Sequence, residues 1–379
     1  MTAAEHQIMT ALAALDRLPQ TEARRLSREM TRSLWIPYAL RRVPRADLAG
    51  VLPCPDTPKP GALALAWLEK IGRNAHLESS DGRRCALHEG DLLAVVFGNR
   101  YASAQYEGYA RADGDRCHLL SMGGLCGWVE RKHASVADPT RLRLAGALTD
   151  AEGRPLNLQD FALPPKAAAC RPRVIVVCGT AMDTGKTHTA MSLIVGLRRQ
   201  GHRVAAVKLT GTACGRDTWA MLDAGAYPAL DIVDGGYPST YLCTLEQLLD
   251  LYGLLTAHAA GPGAEWLVVE IADGVLQQET AALLQCHTFT ATVDAWVLAA
   301  NDPLGALGAV GVLRGWGIEV AAISGVLSMS PLGMEEAQAA TGVRCLTAEA
   351  LQQGTLVAQL KEYGVHGNGR VQGESVARE

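Results

Sequence analysis

Residues 174–187 read Val174-Ile175-Val176-Val177-Cys178-Gly179-Thr180-Ala181-Met182-Asp183-Thr184-Gly185-Lys186-Thr187. An apolar run enters a loop bounded by glycines and ending on Gly-Lys-Thr. The loop fits G-x-x-x-x-G-K-[ST] except in spacing: five residues, not four, separate Gly179 from Gly185, and Thr180 stands at the strict first position. Small residues let backbone N–H groups converge on phosphate oxygens, and the following helix N-terminus adds partial positive charge. Lys186 is the residue expected to reach terminal phosphates, and the Thr187 hydroxyl can ligate Mg2+. Gly179, Thr180, Asp183, Thr184, Gly185, Lys186, Thr187 and His188 are the candidate nucleotide-binding residues. The other reading is a Gly-rich strand-to-helix turn that holds no ligand.

Outward from this loop, apolar strands alternate with helical stretches from Arg173 onward. The strands are Val174–Cys178, Val204–Val207, Trp266–Ile271, Ala295–Ala299 and Val320–Leu327; helices are expected over about 186–200, 216–224, 244–259, 277–287, 304–315 and 333–341. Continuous Val/Ile/Ala strands separated by helices predict a parallel sheet covered on both faces. In such a sheet the carboxyl ends of adjacent strands face one crevice. Between Lys166 and Lys361 the only lysines are Lys186 and Lys208, and Lys208 ends the second strand. Both are therefore expected in one site, as candidate catalytic residues, the alternative for Lys208 being a solvated strand end. Trp266–Glu270 is an apolar strand ending in an acid, the way a second carboxylate is presented to Mg2+. Glu270, with Thr187 and Asp217, makes the candidate metal set, and Asp273 can share the role; helix capping is the other reading for all three acids.

These motifs carry a resemblance. GTAMDTGKTHTA (179–190), VKLTGTACG (207–215), VVEIADG (268–274) and VLAANDPLGALGA (297–309) resemble the ordered motifs of dethiobiotin synthetase and its wider group of P-loop proteins, which includes cobyric-acid-type amidases and division-site ATPases. In dethiobiotin synthetase the loop reads GTDTxVGKT, followed by strand ends KPxxxG and VEGAGG. The resemblance covers about residues 173–345. It implies ATP and Mg2+, a seven-stranded parallel sheet and a homodimer. By motif position it gives Lys186 and Thr187 to phosphates and metal, Lys208 to charge developing on a carboxylate or carbamate, and Asp217 and Glu270 to the rest of the metal shell. The chain departs from the pattern at VVEIADG and at ISGVLSMS (323–330), which has no Asn where the family's Val-Ala-Asn turn contacts adenine. The front 165 residues have no counterpart in the synthetase; here the chain looks closer to bacterial proteins that join a small β domain to this ATPase unit. No lysine precedes the loop's last glycine in the GKGGxGK style of a division-site switch, which leans toward an enzyme.

The front of the chain has a different pattern. Ile8, Leu12, Leu15 and Leu18 recur at helical spacing up to Pro19, and a second helical stretch is expected over 22–40 with Leu26, Met30, Leu34 and Tyr38 on one face. Pro53, Pro55, Pro58 and Pro60 then make an extended linker. From Ala62 to about Leu163 short alternating segments and the turns Asp81-Gly82, Asp113-Gly114 and Glu152-Gly153 predict a small antiparallel sheet or barrel. The cluster Asn99-Arg100-Tyr101 is either an anion-binding strand end, with Arg100 forking onto a carboxylate or phosphate, or a structural turn. His76, His88, His118 and His133 lack metal spacing.

The chain has 379 residues, 48% hydrophobic and 20% charged, which suits globular domains and excludes a disordered or fibrous chain. Net charge is −4, against wholesale nucleic-acid binding. Residues 1–45 hold eight Arg and four acids, read as a solvated helix face or a surface for an acidic partner. The longest uncharged stretch, Val320 to Met334, is 15 residues, short of a membrane span, and no secretory signal is expected. Ten scattered Cys without a CxxC read as reduced thiols of a cytoplasmic protein. The expected architecture is α/β: N-terminal helices over 1–52, a small β-rich domain over 61–165, a P-loop NTPase domain over 171–360 with its parallel sheet covered by helices on both faces, and a disordered tail over 364–379. The expected function is ATP- and Mg2+-dependent phosphoryl transfer to a small carboxylate or amine metabolite by a homodimer of ligase or cyclo-ligase type, with no nucleic-acid or membrane partner. The alternatives are a nucleotide-switched binding or assembly ATPase and a small-molecule kinase.

Overall fold

The computed structural model describes residues 23–362 apart from 56, 169 and 262. The first expected helix, with Ile8 to Leu18, and the tail from Gly364 lie outside the described residues. The chain divides into two compact units. Unit one gathers Met1–Pro165, Thr210–Trp219 and Asp231–Cys243; unit two gathers Lys166–Leu209, Ala220–Leu230 and Thr244–Glu379.

In unit one the described chain begins β1 (Arg24–Arg25), α1 (Arg28–Ser33), β2 (Gly50–Leu52). The helical stretch expected over 22–40 is corrected: only Arg28–Ser33 is α-helical, capped by the Ser27 side chain, and a separate 3-10 turn follows at Tyr38–Leu40. The chain beyond is drawn out by pairing, since Trp35 bridges Leu93 and Pro37 bridges Ser79, and Pro37 cannot donate to a helical ladder. Leu34 and Tyr38 are buried all the same, so the apolar spacing marked the core but not the backbone.

Nine further strands follow: β3 (Leu63–Lys70), β4 (His76–Glu78), β5 (Arg84–Ala86), β6 (Leu92–Phe97), β7 (Arg100–Tyr101), β8 (Tyr106–Tyr109), β9 (Arg116–Leu119), β10 (Leu125–Lys132) and β11 (Thr140–Thr149). The large sheet runs β1-β2-β11-β3-β6-β10-β8-β7, and β9 pairs with both β10 and β11. The ring β3-β6-β10-β9-β11 thereby closes into a five-stranded barrel, which leaves those strands no open edge. Alternate residues Ala64, Ala66 and Leu68 of β3 meet Leu93, Val95 and Phe97 of β6, with Leu119 and Leu142 in the same core.

The later segments of unit one are fastened to it by buried polar groups. Glu78, 7% exposed, accepts hydrogen bonds from Gly215 N (2.8 Å) and Trp219 Nε1 (3.1 Å). Tyr38 donates its hydroxyl to Asp231 (2.7 Å), and Arg41 reaches both Asp231 (2.8 Å) and Asp234 (2.6 Å). Burial lifts the Tyr38 phenol above the usual tyrosine range and raises the Asp234 carboxyl, with Arg41 opposing both. Gly123 is required here, because a Cβ would lie 2.0 Å from the Ala213 carbonyl oxygen.

Unit two is built of β12 (Arg173–Gly179), α2 (Lys186–Arg199), β13 (Val204–Lys208), α3 (Arg216–Asp223, whose first residues belong to unit one), β14 (Ala229–Asp231, whose last residue belongs to unit one), α4 (Leu245–Ala260), β15 (Trp266–Glu270), α5 (Gln278–Gln285), α6 (His287–Thr290), β16 (Ala295–Ala299), α7 (Pro303–Gly315), β17 (Val320–Ser324), α8 (Pro331–Thr341), α9 (Ala348–Gln352) and α10 (Thr355–Glu362). Its sheet runs β14-β13-β15-β12-β16-β17. The pairs β13/β15, β15/β12, β12/β16 and β16/β17 are parallel. Six strands are present among the described residues where the resemblance implies seven. β13, β15 and β16 are buried along their whole length, which is why they read as unbroken apolar runs. No helix among the described residues is long and apolar enough to cross a membrane.

Candidate functional site

β12 is one of the two central strands of this sheet, flanked by β15 and β16, and it delivers the chain at Gly179 into the loop that opens α2. A Cβ on Gly179 would lie 2.6 Å from Thr184 Oγ1 and 2.9 Å from Lys186 Cδ, so the loop folds back over a residue that must lack a side chain. Gly185 turns at φ 88 and Asp183 at φ 57. Glycine adopts that conformation at little cost, whereas a non-glycine residue held there stores strain of the kind concentrated at ligand sites. The turn points the loop at the N-terminus of α2, where N–H groups outnumber intrahelical acceptors.

The loop is gripped from both sides. Val275 N donates to Gly179 O (2.9 Å), and a Cβ on Gly274 would lie 2.5 Å from the Thr180 oxygen. On the other flank Thr180 N donates to Ala299 O (3.0 Å) and Val326 N to Thr184 O (3.0 Å). Gly325, at φ 90, sits so close that a Cβ would be 2.2 Å from Thr184 O. The turn after β17 is thus part of the loop's wall. This stretch is singled out in the sequence only for the Asn it lacks; the glycine in Ile323-Ser324-Gly325 is what lets it approach the loop.

Lys186 is 7% exposed and donates its Nζ to Ala181 O at 2.6 Å, bridging the loop it follows. Burial lowers its pKa; Glu270 and Asp273 work against that shift and Lys208 adds to it. Glu270, the last residue of β15, stands opposite Val177 of β12 and Lys208 of β13. It is 2% exposed, its Oε1 accepts from Thr187 Oγ1 (3.0 Å), and its Oε2 is buried without a hydrogen-bond partner. Thr184 Oγ1 is buried without one as well. A carboxylate oxygen left over beside a threonine hydroxyl suits a hard divalent cation, so these residues fit Mg2+.

Gly179, Thr180, Asp183, Thr184, Gly185, Lys186 and Thr187 form one turn, with Lys208, Glu270 and Asp273 at neighbouring strand ends. His188 is exposed in the first turn of α2. Asp217 lies in the first turn of α3, within a segment of unit one, whereas Thr187 and Glu270 belong to unit two. Arg100 is buried in β7 with Nη2 on Gln105 Oε1 (2.9 Å), and Asn99 Oδ1 accepts from Ala110 N (2.9 Å), so this pair fastens the turn between β7 and β8. No group of three or more His, Cys, Asp or Glu with metal-binding geometry occurs among the described residues.

No protein-family model matches the chain, and no curated protein does. Among solved structures, the signal recognition particle 54 kDa protein from Aeropyrum pernix K1, in complex with GDP, is similar at 22% identity and a TM-score of 0.31. The match spans 53% of this chain and 50% of that one, and at so low a score it bears on neither fold nor ligand.

Proposed function

We propose that residues 179–187 hold the phosphates of a nucleoside triphosphate with Mg2+, and that the chain transfers a phosphoryl group to a small carboxylate or amine metabolite as a ligase or cyclo-ligase. The observation that carries this reading is the Glu270 carboxylate, bonded to Thr187 through one oxygen and left buried and unpartnered at the other, at the strand end beside the loop. Thr187 and Glu270 would hold Mg2+ directly or through its waters, and the ion would neutralise phosphate charge. Lys186 would leave Ala181 O for a phosphate oxygen, a stronger acceptor than a neutral carbonyl. Lys208, 7% exposed and opposite Glu270, would meet the charge that develops as the phosphoryl group moves.

The test is Lys208→Ala. Loss of one preorganised charge should lower kcat by roughly 10²–10³ while nucleotide affinity stays within about threefold. A fall in affinity with kcat intact would make Lys208 a nucleotide ligand only. Homodimerisation belongs to the same proposal, and light scattering on the purified chain checks it.

A nucleotide-switched assembly factor is favoured by one observation: Thr210–Trp219 follows β13 directly yet is held within unit one by Glu78. Hydrolysis stimulated by a protein partner, and not by any small metabolite, would select that reading.

A further inference from the structure

We propose that Tyr101, Tyr109 and Tyr241 form, with the Glu107 carboxylate, a binding site for a methylated ammonium group. The site lies wholly in unit one and is independent of the loop 179–187. Tyr101 of β7 and Arg131 of β10 are both register partners of Glu107 in β8. Residues two apart share a face of a strand, so Tyr109 stands on the same face as Glu107. Tyr241 crosses that face, its ring centroid 5.6 Å from that of Tyr101 and 6.3 Å from that of Tyr109. The rings are inclined by 47° and 38° rather than stacked flat, and all three tyrosines are half-buried, so part of the aromatic surface stays accessible. Leu242, next in the chain, turns at φ 66, a conformation a leucine keeps only where its surroundings impose it. The fold therefore holds Tyr241 in place.

Two of the hydroxyls converge on one carboxylate. Tyr109 and Tyr241 both donate to Glu107 Oε1, at 2.5 Å and 3.3 Å. The Tyr109 bond is the leading cause that holds the Glu107 carboxyl below its ordinary range, so the negative charge is kept. A cation already stands at this charge: Arg131 Nε lies 2.5 Å from Glu107 Oε2, on a side chain 77% exposed. An ion pair made by so solvated an arm is weak, and a ligand cation can displace it. Arg131 thus marks where that cation sits. The carboxylate alone would favour any cation. Aromatic faces favour one whose charge is spread over methyl groups and whose water is loosely held, the chemistry of an aromatic cage.

The experiment measures equilibrium binding to the full chain of choline, of its uncharged isostere with a tert-butyl group in place of trimethylammonium, and of a peptide carrying trimethyllysine. Choline should bind about three- to thirtyfold more tightly than the isostere. Arg131→Ala removes the resident cation at an exposed side chain, so the variant folds, and its affinity for choline should rise about two- to fivefold. Tyr241→Leu removes one ring and should cost about three- to tenfold, whereas Tyr241→Phe keeps the ring and should stay within about threefold of the parent. Tighter binding of choline than of the peptide assigns the ammonium to a free small molecule, and the reverse assigns it to a modified protein; either supports the site. Failure of both choline and the peptide to bind overturns the proposal. So does an isostere that binds as tightly as choline, or an Arg131→Ala variant that binds choline no better than the parent.

Discussion

Replacing Lys186 by Met separates a lysine kept for a ligand from one kept for the fold. The side chain is 7% exposed, and burial already disfavours its charged form. Its ammonium donates to the carbonyl of Ala181, an exposed residue that water can solvate in its place. Lys186→Met therefore trades one charged hydrogen bond, worth about 1.5–3 kcal/mol, for relief from burying an ammonium, a term of similar size and opposite sign. The ligand-free variant should melt within about 3 °C of the parent. Ligand binding behaves differently. At a nucleotide concentration one hundred times Kd, binding stabilises by about 2.7 kcal/mol, which raises Tm by roughly 5–10 °C for a unit of this size. That increment should vanish in Lys186→Met. Differential scanning fluorimetry with and without Mg-nucleotide reads both quantities on one sample. A variant that keeps the nucleotide-induced rise, or one that melts far below the parent without ligand, would refute the reasoning.

Glu270→Gln keeps an acceptor for Thr187 but removes the charge. Turnover with Mg2+ should fall by about 10²–10³ while metal-free nucleotide binding persists, and equal turnover would place the metal elsewhere. Glu78→Ala strands two donors, the buried Gly215 N and the partly buried Trp219 Nε1, and should cost about 2–5 kcal/mol in urea unfolding of the full chain; an unchanged midpoint would show the contacts to be replaceable. Because burial lowers the Lys186 pKa and phosphate would raise it again, nucleotide binding should take up a proton in alkaline buffer. Affinity should then be full below the ligand-free pKa and decline as pH rises through it, and calorimetry in buffers of differing ionisation enthalpy detects the uptake.

The part of the structure nearest the loop 179–187 was written locally. Val174–Cys178, Gly185 and Lys186 are neighbours in sequence, and the strands beside them are continuous apolar runs because both their faces are buried. Lys186, Lys208 and Glu270 come together for a topological reason that alternating strands and helices disclose. β14 escaped because three residues, two of them half-buried, make no pattern. The stretch from Leu26 to Tyr38 misled because its helical spacing runs on past Ser33, where the helix ends and the pairing of Trp35 with β6 decides the backbone. The setting of Asp217 was illegible for another reason. It depends on Glu78 holding Gly215 and Trp219, at separations of 137 and 141 residues, and no local feature announces bonds of that length.

Unit one draws on three stretches of chain, the last ending at Cys243. During synthesis β12, α2 and β13 emerge before that last stretch does. Domains usually fold as units from the N-terminus, but here the first unit cannot finish before part of the second exists. Until then Glu78, Tyr38 and Arg41 lack the partners that bury them. A nascent chain arrested between 166 and 230 would hold two incomplete cores. For the same reason, exchanging unit one for that of a related gene would require three coordinated replacements, so recombination at one junction near Pro165 would break the molecule, and the two units are constrained to be inherited together.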